Sequence, residues 1–268
     1  MFDDLKVELT DSWGDDVNVA HQAWASTYDL DRLSKKTDED VRRVVTDVVK
    51  HFHGTPKERL WFDFAMTMPI FLERQFDKYR MTVQYQDVEV DFLVAEMGRN
   101  NITQNELSGR YRTIPSRFYE MPDDVAAVVA TAIWPLDQTF GDTKGACKQE
   151  HADMLQMQYD YYNEVLISLK KARDVSKTIT AAEFKRAREV LRGVLGTAYM
   201  TDMRIICNLH SLEHILDQRL DPAAQLEGRV VACKMLKAVL DSGVAKVTME
   251  QMVKTKDWQK YIDELSNV

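Results

Sequence analysis

Apolar residues change their spacing several times along this chain, and that change restricts the fold to a mixed one. Residues 5–9 (Leu-Lys-Val-Glu-Leu) alternate apolar and charged, the period of a half-buried strand. Val41, Val44, Val45, Val48 and Val49 then recur at helical spacing over residues 38–51, after a Thr37-Asp38 start signal. Residues 60–66 are aromatic-rich and strand-like; Pro69 fits a first helical position, and residues 70–79 follow as a helix. Residues 82–94 alternate again, as one strand or a hairpin, and the polar residues 98–114 read as a loop. Helices are expected over residues 150–173 and over 180–195, the latter opened by a capping box of Thr180 with Glu183. Residues 204–207 are short and apolar, residues 209–219 are helical, and Pro222 restarts a helix to about Leu240. No repeat and no linker interrupts this order, so one compact α+β domain over residues 1–268 is expected.

Composition narrows the function. With 45% hydrophobic residues the 268-residue chain can bury a full core, yet no apolar run approaches the roughly 20 residues of a membrane span. Met1-Phe2-Asp3-Asp4 is acidic where a secretory signal would be basic. Three widely spaced cysteines (Cys147, Cys207, Cys233) give neither a disulfide framework nor a paired-cysteine zinc motif, so a reducing cytoplasm is expected (the host's, for a viral source). Thirty-five basic against 43 acidic residues give a net −8. That argues against broad nucleic-acid or anionic-membrane binding, but leaves room for a small anion in a local basic pocket.

Four clusters could carry chemistry. His51-Phe52-His53-Gly54-Thr55-Pro56 with Glu58 stands at a helix exit. Its histidines could ligate a metal; the plainer reading is a helix C-terminus, with His against the dipole and Gly-Thr-Pro making the turn. Asn105-Glu106-Leu107-Ser108-Gly109-Arg110 offers a hydroxyl, an open backbone and a guanidinium, a set suited to phosphate; a solvated turn with a Glu106–Arg110 pair is equally compatible. His210 and His214, at i, i+4, could hold zinc with Glu213 nearby. No third ligand has a recognisable spacing, so two polar histidines lining a groove are preferred and no metal is expected. Finally, Arg188 and Arg192 lie on a basic helix, and the apolar Gly193-Val194-Leu195-Gly196 after Arg192 suggests an inward guanidinium needing an anionic partner. No Ser-His-Asp or Cys-His signature and no dinucleotide or Walker loop is present.

Read together, these stretches resemble the flavin-dependent thymidylate synthases. Six ordered matches carry the resemblance: residues 6–16 with Ala25-Ser26, residues 50–58, Pro69-Ile70-Phe71 through Arg74-Gln75, Asn105-Glu106-Leu107-Ser108-Gly109-Arg110-Tyr111, Arg192 with Val194-Leu195, and Asn208-x-x-Ser211-Leu212 through Arg219, Asp221, Gln225 and Glu227. Departures are also plain. Lys78-Tyr79-Arg80 stands where the family has Arg-His-Arg, followed by an insertion at about 81–104; a rival alignment places Gly98-Arg99-Asn100 there instead. His210, His214 and Ala223 replace an expected Arg, Asn and His.

The resemblance implies an antiparallel sheet with long helices, assembled as a homotetramer with active sites between subunits. It implies FAD-dependent methylation of dUMP to dTMP, with methylenetetrahydrofolate and NADPH as co-substrates. It places dUMP on Gln75, Lys78, Glu106, Ser108, Gly109, Arg110, Arg192 and Arg219, with Arg219, Ser108 and Gln75 nearest the chemistry. Ser108 positions the nucleotide rather than attacking it. The flavin falls to Ser26, His53, Thr55, Glu58, Lys78, Tyr79, Arg80, Asn208, His210 and His214. The altered flavin-side positions also admit a pyrimidine hydroxymethylase acting on dUMP, less readily dCMP, or a nucleotide-binding homologue without activity.

Overall fold

A computed structural model describes residues 2–25, 35–76, 102–106, 114–133 and 142–266, with residues 102–106 described as backbone only. They form an α+β structure, mostly helical, around a small sheet. Two compact units can be distinguished: a smaller one of Met68–Phe71 and Leu107–Thr201, and a larger one of Phe2–Thr67, Leu72–Glu106 and Asp202–Val268.

In the larger unit, β1 (Lys6–Trp13) pairs antiparallel with β2 (Trp61–Pro69), and β3 (Ile102–Glu106) pairs antiparallel with β4 (Met200–Asn208). The sheet order is β1-β2-β4-β3. Strand β1 is longer than the alternation in residues 5–9 suggests. β3 corrects the expected loop over 98–114: Thr103, Gln104 and Asn105 read as polar, but the edge strand is held by ladder bonds to β4, and tertiary pairing overrides local composition. The alternating stretch 82–94, and with it nearly all of the proposed insertion, lies outside the described residues.

Helices cover the sheet. Asp15 and Asn18 form a capping box at the start of α1 (Asp16–Trp24). Thr37 caps α2 (Asp38–Lys50), which buries Val41, Val45, Val48 and Val49 as its valine spacing predicts. After the single turn α3 (Gly54–Lys57), α4 (Ile70–Phe76) begins one residue past Pro69, which ends β2 instead of opening the helix. Later come α8 (Leu209–Arg219) and α9 (Leu226–Ser242). Helix α9 starts four residues beyond Pro222 because Asp221 takes the local amides: its Oδ1 accepts from Ala223 N at 2.7 Å and its carbonyl from Ala224 N at 2.9 Å. Val230, Val231, Met235, Leu236 and Val239 of α9 are buried, and the helix packs on β1. Each such side chain withdrawn from water contributes about 1.5–3 kcal/mol. Two further helices, α10 (Lys246–Thr255) and α11 (Gln259–Leu265), close the larger unit. The Asp16 carboxylate accepts from Val247 N (2.9 Å), Thr248 N (2.8 Å) and Thr248 Oγ1 (2.5 Å), capping α10 from the start of α1.

The smaller unit holds α5 (Asp123–Ile133), α6 (Thr143–Asp174) and α7 (Ala181–Leu191), followed by a 3₁₀ turn at Arg192–Val194. Helix α6 begins earlier than residue 150 because the Asp142 side chain caps it at Gly145 N (2.8 Å). Thr180 and Glu183 make the expected reciprocal cap on α7. Tyr162, Leu166 and Phe184 form the core between α6 and α7.

Candidate functional site

Two features of the larger unit gather residues from distant parts of the chain. The first is at the end of α4. Arg219 Nη1 donates to Gln75 Oε1 at 2.9 Å and Nη2 to the Gln75 carbonyl at 3.3 Å. Gln75 Nε2 in turn donates to Gln225 Oε1 at 2.6 Å. Gly228 on α9 completes the corner: a Cβ there would sit 3.6 Å from Arg219 Cδ and 3.9 Å from Gln75 Oε1. Both Gln75 and Arg219 are half-buried. A guanidinium fixed through two of its nitrogens presents an oriented cationic edge, suited to a carbonyl or phosphate oxygen.

The second feature is a cleft of about 590 Å³ lined by Gly14, Asn18, Gln22, Thr55, Glu58, Arg59, Trp61 and Asn208. A neighbouring cleft of about 540 Å³ shares Gln22 and Thr55 and adds His53, Gly54, Val44, Asp47 and Val48. Asn208 ends β4 and caps α8, its Oδ1 accepting from Ser211 N at 2.9 Å, while its buried Nδ2 finds no acceptor among the described residues. Such an unpaired donor is costly unless a ligand or water completes it. His210 Nδ1 lies 3.6 Å from Glu58 Oε1.

Local geometry explains the His51–Glu58 segment. His51 caps α2 and its Nδ1 lies 2.9 Å from the Asp47 carbonyl, in keeping with the plainer reading of that cluster. The chain is turned by Phe52, not by Gly54: Phe52 has φ 56, with its N–H bonded to Val49 O and that of His53 to Val48 O. Gly54 serves a close approach, since a Cβ there would fall 2.6 Å from His210 Cε1. Gly14 has a similar role at the cleft rim, with φ +88 and the Arg59 carbonyl 2.5 Å from where a Cβ would lie.

Beneath the cleft, Lys57 on α3 is ion-paired with Glu213 on α8, with side chains only 1% and 9% exposed. Lys256 bridges Glu213 (3.0 Å) and Asp217 (2.6 Å). Burial pushes the Glu213 pKa up, but Lys57 and Lys256 outweigh it and hold the carboxyl below its ordinary value. Burial lowers that of Lys256, and its two carboxylate partners reverse this to a net rise. Cys207, beside Asn208, is fully buried, and burial pushes its thiol up to about 12, leaving it protonated and inert.

Of the residues singled out in the sequence, Gln75 and Arg219 meet directly, Thr55, Glu58 and Asn208 line one cleft, and His210 contacts Glu58. His53 lines the adjoining cleft, whereas His214 is exposed on α8. Arg192 corrects the inward reading: it caps α7 in the smaller unit and is exposed, because the 3₁₀ turn carries the chain away from the helix there. Ser26, Lys78, Tyr79, Arg80, Ser108, Gly109 and Arg110 lie outside the described residues, and Glu106 is described as backbone only, opposite Met203. Among the described residues no three His, Cys, Asp or Glu side chains stand together as a metal site. Residues that sequence reasoning did not single out are Gly14, which lies inside the matched stretch 6–16, and Asn18, Gln22, Arg59 and Trp61, which only neighbour matched segments.

The fold is shared with a solved nucleotide methylase. The UMP/dUMP methylase PolB from Streptomyces cacaoi, bound with 5-Br dUMP, superposes with a TM-score of 0.66 at 23% identity, covering 94% of this chain and 95% of that one. The family model of the thymidylate synthase complementing protein (Thy1) matches residues 8–242 and so runs through both units. The chain belongs to that family, and its class is that of the thymidylate synthase-like methyltransferases. The flavin-dependent thymidylate synthase of Rickettsia conorii is 26% identical over 240 residues, 87% of this chain and 71% of that protein. That of Thermotoga neapolitana is 27% identical over 234 residues, 86% and 83% respectively.

Proposed function

We propose that this protein methylates C5 of dUMP to give dTMP, as an FAD-dependent enzyme using methylenetetrahydrofolate and NADPH in the cytoplasm. The observation that carries the reading is the Gln75–Arg219 pair, two residues 144 positions apart locked into one corner. In this reading Arg219 holds a pyrimidine carbonyl, which raises the nucleophilicity of C5 in a site shielded from water. Gln75 orients that guanidinium. Ser108, Gly109, Arg110, Lys78 and Arg192 bind the nucleotide, the cationic members of the set taking its phosphate, and Glu106 takes a sugar hydroxyl.

The larger cleft fits a flavin by its chemistry: Trp61 offers an aromatic surface, Thr55, Glu58 and Arg59 offer polar contacts, and Asn208 Nδ2 is a buried donor with no acceptor among the described residues. Thr55, Glu58, Asn208 and His210, with His53, His214, Ser26 and residues 78–80, would hold it. When bound, the flavin supplies the hydride that completes the methyl group. The protein assembles as a homotetramer with the site shared between subunits.

Purified protein should show flavin absorbance in the visible range, perturbed on titration with dUMP. It should release tritium from C5-labelled dUMP when NADPH and the folate are present, and mass spectrometry should find a methyl product rather than a hydroxymethyl one. A colourless protein that cannot be reconstituted with FAD overturns the reading.

A further inference from the structure

We propose that Lys57 and Glu213 are positioning residues, whose buried ion pair fixes the single turn α3 against α8 and so sets the cleft for the flavin. The inference rests on the reading above in taking the cleft as the flavin site.

Helix α3 cannot hold itself. It has four residues and no side-chain cap at His53, and a single helical turn is unstable in isolation. Yet its residues form one wall of the cleft. Thr55 and Glu58, three apart, share a face; Thr55 is exposed and Glu58 half-buried, and both line the 590 Å³ cleft. Lys57 points the other way and is 1% exposed. A second wall is set by Asn208 at the cap of α8, and Glu213 lies about a turn and a half further along that helix. The ion pair therefore joins the backs of both walls across 156 residues of chain.

An ion pair suits this task better than apolar packing. Lys57 Nζ meets Glu213 Oε2, while Glu213 Oε1 is held by Lys256 at 3.0 Å. The carboxylate is thus fixed at both oxygens, and the direction of the Lys57 contact is determined. Apolar replacements would restore burial but not direction, which separates the stability of the pair from its positioning effect.

The test uses full-length protein. Lys57→Met alone should lower Tm, because it removes one partner of a buried pair. The double variant Lys57→Met/Glu213→Leu should regain Tm, yet bind FAD about tenfold or more weakly, with an altered visible flavin band and unchanged dUMP affinity. The amides of Glu58, Arg59 and Leu60, which close the α3 turn, should exchange hydrogen faster than in the parent. If the double variant does not fold, Glu213→Gln, which keeps the side-chain shape, is read by the same measurements. Parental flavin affinity together with parental exchange in a folded variant overturns the proposal. Should the parent itself bind no flavin, the functional reading fails, and the exchange of those three amides alone decides the clamp: faster supports it, unchanged overturns it.

Discussion

Gly54 lies against the imidazole of His210, so closely that a Cβ at position 54 would come within 2.6 Å of Cε1 and 3.0 Å of both ring nitrogens. The two residues are far apart in sequence and face each other where α3 meets α8. Gly54→Ala must displace the ring or move α3. Overpacking of this kind costs about 1–3 kcal/mol. Thermal denaturation should show a lower Tm, and flavin affinity should fall with it. Removing the ring in the double variant Gly54→Ala/His210→Ala should restore the Tm lost by the single change. An unaltered Tm in Gly54→Ala would rule out a rigid contact at this point.

Arg219→Ala should abolish turnover without unfolding the protein. The side chain is half-buried and its contacts to Gln75, itself bonded to Gln225, lie at a corner of the fold, not in its core. Losing one charge-assisted bond to an ionic ligand costs about 1.5–3 kcal/mol, so dUMP should bind about ten- to a hundredfold more weakly. Calorimetry gives the affinity and circular dichroism the fold. A variant that turns over like the parent would show that Arg219 does not face the pyrimidine.

The ion cluster around Glu213 predicts the pH response of stability. Its carboxyl is held below its ordinary value of 4.5, so it contributes stability at pH above that value. The contribution is lost as pH falls through the depressed folded value. Lys256 is shifted upward from 10.5, so its contribution is complete below that pH and disappears as pH rises through the raised folded value. Urea midpoints measured from neutral to acid pH should fall more gently for Glu213→Gln than for the parent. Parallel acid arms would show that the carboxylate is not linked to folding.

Asp16 caps α10 from the other end of the sequence, through three bonds of 2.9, 2.8 and 2.5 Å. Asp16→Ala should destabilise by about 1–2 kcal/mol, the range for loss of a helix cap. Because Ala245, before α10, has φ 48 and gives no side-chain cap, nothing local replaces the lost carboxylate. Chemical denaturation should report the loss, and Asp16→Asn, which keeps one acceptor oxygen, should recover part of it. Equal stability of Asp16→Ala and parent would contradict the cap.

Much of the secondary structure was legible because it is encoded locally. The valine spacing of α2 and the Thr180–Glu183 box each act within a few residues, and the helix expected over residues 209–219 has those bounds. Where an element depends on a distant partner, local reading failed. β3 looks like a polar loop until β4 supplies its ladder, and Arg192 looks inward-facing until the 3₁₀ turn exposes it. Likewise Gly54 reads as a turn residue, but the turn belongs to Phe52, and Gly54 answers to a ring on another helix.

By itself the sequence determined the class of fold, the order of most elements and the family, because periodicity, caps and ordered motifs are properties of the chain. Tertiary structure alone decided which of those residues meet. The contacts of Gln75 with Arg219 and of Lys57 with Glu213 span 144 and 156 residues. Separations of that length are closed by burial of helices against a sheet, and no local pattern of residues records the outcome.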